Sequence, residues 1–112
     1  ISQVAALSVI DATEQLDEYV VQYKNNRDLM LNTLPKIGFN KIAPSDGAFY
    51  LYVDVSHITN DSVSYCHSLL MNRGVALTPG VDFDPDHGRH FVRISYAGSE
   101  QDIEDALFRL SK

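Results

Sequence analysis

Residues Phe91, Val92, Arg93, Ile94, Ser95 and Tyr96 alternate with a period of two, so a strand built from them carries Val92, Ile94 and Tyr96 on one face. Phe91, Arg93 and Ser95 fall on the other. The first face must be covered, and the second holds a charge that cannot be titrated away, which suits a sheet covered on one side by helices. An arginine in such a strand either blunts an edge against aggregation or holds an anion. The planar guanidinium grips a carboxylate through two parallel hydrogen bonds, where an ammonium acts as a point charge.

The rest of the chain supplies that layer. Ser2 to Ile10 is small and apolar on most sides, as in a helix packed all round, and expects a neighbour. From Thr13 to Leu34, Leu16, Val20, Tyr23, Met30 and Leu34 recur at helical spacing, opposite Glu14, Asp17, Glu18, Lys24, Asn25 and Asp28. The two segments are readable as one bent helix. Asp11 ahead of Glu14 is a capping-box signal, and Pro35 with Gly38 is a stop.

Strands are expected over Gly38 to Ile42, Ala48 to Val55 and Val75 to Thr78, with a turn at Ser45, Asp46 and Gly47. Asn60 or Asp61 caps a helix through Val63, Cys66, Leu69 and Leu70 that ends at Arg73 and Gly74. A loop from Pro79 to His90 leads into the Arg93 strand. Ser99, three residues before Asp102, then opens a last amphipathic helix with Ile103, Ala106, Leu107 and Leu110 on one face. The fold class is α+β: a small antiparallel or mixed sheet of three to four strands covered by helices, with a long N-terminal and a C-terminal helix.

A chain of 112 residues with 45 % hydrophobic residues forms one domain and buries a real core. Nine basic against 15 acidic residues give a net charge of −6, and no basic stripe offsets it, so nucleic acid and anionic membrane surfaces are poor partners. No segment has the length of a membrane span and no leader is evident, which reads as cytoplasmic. The single Cys66 lies in the apolar part of a helix and reads as a buried, inert thiol. Asp82, Asp84, Asp86 and His90 mimic a calcium loop, but His87 stands where its glycine belongs and Arg93 where its last acid belongs. His57, His67, His87 and His90 include no zinc spacing. His87 and His90 read as solvated loop residues, and Tyr50, Tyr52 and Tyr96 as strand-face residues. Gly47 permits a positive φ or a close backbone approach, or is simply a turn glycine.

Two blocks occur together. One runs Gly74, Val75, Ala76, Leu77, Thr78, Pro79, Gly80, then Asp82, Phe83, Asp84 and Pro85, and continues into the Arg93 strand, Ala97, Gly98, Ser99 and the last helix. The other is Pro44, Gly47, Ala48, Phe49, Tyr50, Leu51, Tyr52, Val53 and Asp54. In this order the chain resembles the C-terminal small domain of pyridoxal-phosphate-dependent aminotransferases of the aspartate aminotransferase class. The resemblance implies amino-group transfer between an L-amino acid and a 2-oxo acid, with Arg93 binding the substrate α-carboxylate and Gly47 close to the substrate. It also implies a homodimer, and a large domain that binds most of the cofactor and carries its lysine.

Lys24, Lys36, Lys41 and the terminal Lys112 are not matched to the family's cofactor lysine, and neither a phosphate-binding loop nor an Asp for the pyridine nitrogen can be matched. The expectation is a small domain without its large domain, with residues 1–12 as the helix leading from it. Such a chain should not transaminate alone. The alternatives are a stand-alone α+β module that binds a small carboxylate or an oligomer partner for regulation, with Arg93 as the anion site, and the same domain of a related decarboxylase or synthase.

Overall fold

The computed structural model describes residues 1–10 and 12–112. Its elements are α1 (Ser2–Ile10), α2 (Thr13–Thr33), β1 (Lys41–Ile42), β2 (Tyr50–Asp54), α3 (Ser62–Arg73), β3 (Thr78–Pro79), β4 (Phe91–Ser95) and α4 (Glu100–Leu110). The strands form one antiparallel sheet in the order β1-β2-β4-β3. The α+β expectation holds, and among the described residues no strand pair is parallel.

The alternation expected for β4 decides which way the sheet faces. Leu51 and Val53 of β2, with Val55 just after it, join Val92 and Ile94 of β4 and the following Tyr96 in the core. Met30 and Leu34 close over them with Cys66 and Leu69 of α3 and Ile103, Leu107 and Leu110 of α4. Each such aliphatic side chain stabilises the fold by about 1.5–3 kcal/mol relative to exposure. The opposite face carries Tyr50, Tyr52, Phe91 and Arg93. No helix of the described chain is long and apolar enough to cross a membrane.

Helix ends follow their local signals. The Asp61 carboxylate accepts from the Ser64 amide at 3.1 Å, and Gly74 closes α3 in the left-handed region at φ 64. The Ser99 hydroxyl oxygen accepts from the Asp102 amide at 3.1 Å and its O–H donates to the Asp102 carboxylate at 2.7 Å. Ser99→Ala is expected to cost about 1 kcal/mol, read as a shift of the denaturant midpoint, with Ser99→Asp keeping most of it.

Several boundaries differ from the sequence expectation. The first two helices are separate, with Ala12 outside both, and the Asp11 capping signal lies outside the described residues. Leu16 and Val20 are exposed, so only the second half of α2 joins the core; no residue of α1 is buried. The strand expected over Gly38 to Ile42 is reduced to Lys41–Ile42, after a 3-10 turn over Leu34–Ile37 that Gly38 ends at φ 103. The strand expected over Val75 to Thr78 is displaced to Thr78–Pro79. The Val75 amide is used by the Leu69 carbonyl beyond the end of α3, and pairing with β4 begins only at Thr78 opposite Arg93. Pro79 is tolerated because β3 is an edge.

Candidate functional site

Arg93 stands in the middle of β4, opposite Tyr52 of β2 on one side and Thr78 of β3 on the other. Its side chain is partly buried on the helix-free face and lines an open groove of about 330 Å³ with Tyr50, Tyr52, Phe83 and Asp84. The guanidinium carbon sits 4.5 Å from the centroid of the Phe83 ring and 5.2 Å from that of Tyr50. One N–H reaches the Thr78 hydroxyl at 3.5 Å. Among the described residues no carboxylate lies within ion-pair distance of it, whereas Arg27, Lys41, His87 and Arg109 each have one. A guanidinium flanked by aromatic rings and without an ion-pair partner has the donors to take up a carboxylate.

The groove's outer wall is the loop after β3. Gly80 and Gly88 bring their backbones together at its base: a Cβ on Gly80 would stand 2.6 Å from the Gly88 carbonyl oxygen, and one on Gly88 would collide with the Gly80 carbonyl and the Val81 amide. The buried Ser62 hydroxyl donates to the Gly88 carbonyl at 3.0 Å, tying the pinch to the start of α3. Inside the loop the Phe83 and Asp84 amides both donate to the Gly80 carbonyl, at 2.9 and 3.0 Å. The Asp84 carboxylate accepts from the His87 and Asp86 amides at 3.0 Å, and the His87 amide bond does most to hold its carboxyl below the ordinary range. Thus the acids that mimic a calcium loop include one, Asp84, already used to close a turn.

Tyr52 stacks on Phe91 with centroids 4.9 Å apart and planes 2° from parallel. Its hydroxyl is buried under Gly80 without a hydrogen-bond partner among the described residues, and burial, then the Asp84 charge, pushes its pKa up. Tyr96 lies in the core instead, its O–H donating to the Ala48 carbonyl at 3.2 Å. Cys66 is buried, and that burial lifts its thiol to about 11, in keeping with an inert side chain. His87 is exposed, as expected of a loop; His90 is not fully solvated, because its Nδ1 is buried.

Gly47 is not brought to Arg93. It lines a second groove, of about 220 Å³, with Val20, Tyr23, Lys24, Arg27, Asp46, Ala48 and Tyr96. The positive φ anticipated there falls one residue later, on Ala48 at φ 60. With that twist the Ala48 and Phe49 carbonyls accept from the Tyr96 hydroxyl and the Tyr96 amide. Sequence reasoning gives Phe83, Asp84 and Tyr52 no part in the Arg93 site, although Phe83 and Asp84 stand in the block that carries the family likeness. Strand alternation does place Tyr52 beside Arg93, but no periodic signal locates Phe83.

The family described as aminotransferase class I and II matches the chain over residues 1–110. The chain belongs to that family. A valine–pyruvate aminotransferase of Mycobacterium tuberculosis is 49 % identical over 98 % of this chain and 29 % of its own length. An aspartate aminotransferase of Sulfolobus acidocaldarius is 31 % identical over 99 % of this chain and 29 % of its own. A crystal structure from Silicibacter pomeroyi superposes with a TM-score of 0.95 at 52 % identity, covering 98 % of this chain and 30 % of that one. This aminotransferase chain thus spans about 29 % of the length of those two curated relatives, and what it matches is the small C-terminal domain of the family.

Class I and II aminotransferases imply pyridoxal phosphate, whose seat needs an amine and phosphate donors. No lysine lines the Arg93 groove. Lys41 pairs with Asp54, Lys112 lies over the Phe108 ring, and Lys24 and Lys36 are exposed. The described residues do not make that seat. What they make is a groove in which an arginine without an ion-pair partner among the described residues stands beside aromatic rings.

Proposed function

We propose that this chain is the substrate-binding part of an aminotransferase acting between an L-amino acid and a 2-oxo acid, with Arg93 holding the substrate α-carboxylate. The observation that carries the reading is the half-buried guanidinium in a groove, free of carboxylate partners among the described residues. A bidentate pair orients the substrate's α-carbon, and the aromatic wall keeps water from weakening the pair. In this reading the cofactor and the remaining substrate contacts belong to a large domain outside the chain, and the active form is a homodimer. Gly47 is read as a further contact although it lines the other groove: a Cβ there would meet nothing within 4 Å in this chain, which leaves its backbone open to approach. Taken alone, the chain should transfer no amino group.

The test is amino-group transfer by the complete protein from a panel of L-amino acids to a 2-oxo acid, with Arg93→Lys run alongside. Transfer is expected, with KM for both carboxylate substrates raised about tenfold or more in the lysine variant, because the fork is lost while the charge remains. A complete protein that only decarboxylates, or an Arg93→Lys protein with unchanged KM, would overturn the reading.

A further inference from the structure

The Phe83 ring is out of place for a core residue. It is half-exposed, at 52 %, in the loop after β3, and its ring faces a charge: the Arg93 guanidinium carbon lies 4.5 Å from its centroid. The loop has little freedom to put it elsewhere. The Gly80–Gly88 pinch, the bonds to the Gly80 carbonyl and the Asp84 turn hold both sides of residue 83.

Arg93 needs such a support. Its long stem rotates freely unless its head is held, and the Thr78 hydroxyl at 3.5 Å is too distant to hold it alone. Tyr50, diagonal to Arg93 on the same sheet face, lies farther away at 5.2 Å. A ring against the guanidinium attracts it through the quadrupole and leaves the N–H edge free.

We propose that Phe83 is a positioning residue that orients the Arg93 guanidinium toward an incoming carboxylate. The proposal rests on the reading of Arg93 as the carboxylate receptor. Phe83→Leu keeps apolar bulk and removes the π face; Phe83→Tyr keeps both. In the complete protein, Phe83→Leu is expected to raise KM for amino acid and 2-oxo acid alike by roughly five- to thirtyfold, with kcat within about twofold of wild type. Phe83→Tyr should restore KM to within about twofold. In an Arg93→Leu background, Phe83→Leu should add nothing.

Unchanged KM in Phe83→Leu overturns the proposal. So does a Phe83→Tyr protein as impaired as the leucine variant, a loss confined to kcat, or an equal loss in the Arg93→Leu background. A fully active Arg93→Leu protein strikes instead at the reading beneath it, so the two failures are told apart.

Discussion

Arg93→Leu in the complete protein is expected to lower kcat/KM by about thirty- to several-thousand-fold, the equivalent of roughly 2–5 kcal/mol for loss of one partner of a charge-assisted pair. Stability should change little by comparison. Arg93 lies on the helix-free face, makes no ion pair among the described residues, and exchanges its head group for an apolar one beside Tyr50 and Phe83. Steady-state kinetics and a denaturant midpoint on the same preparation separate the two effects. Activity close to wild type would remove Arg93 from the site.

Gly88→Ala is expected to destabilise the fold by about 3 kcal/mol, at the upper end of what overpacking costs. The added Cβ collides with backbone of Gly80 and Val81, which cannot swing aside as a side chain would. Gly88 is also buried and receives the Ser62 hydroxyl, so a shift there disturbs the start of α3. Gly80→Ala should be costly too, since its Cβ would stand 2.7 Å from the Tyr52 hydroxyl and 2.8 Å from the Phe91 Cβ. The double variant should lose less than the sum, because both changes open the same contact. A Gly88→Ala midpoint within about 0.5 kcal/mol of wild type would show that the pinch yields without strain.

What the sequence made legible was local. The two faces of β4, the caps at Asp61 and Ser99 and the left-handed stop at Gly74 depend on residues a few positions apart, and each stands where its pattern put it. What escaped depends on distant partners. Val75 looks like strand but spends its amide on the end of α3. Leu16 and Val20 look like core because helical periodicity marks a face without saying whether anything covers it. Gly47 invited a positive φ that Ala48 adopts, since the twist is demanded by the Tyr96 contacts across the sheet. Arg93 stood out by its position, whereas Phe83 could be placed only once the loop's closure was known.

The strand order has a mechanical consequence. Because β4 is flanked by β2 and β3, Arg93 cannot shift along its strand without breaking pairs on both sides at once. Any movement of this part of the protein therefore carries the Arg93 backbone together with both neighbouring strands.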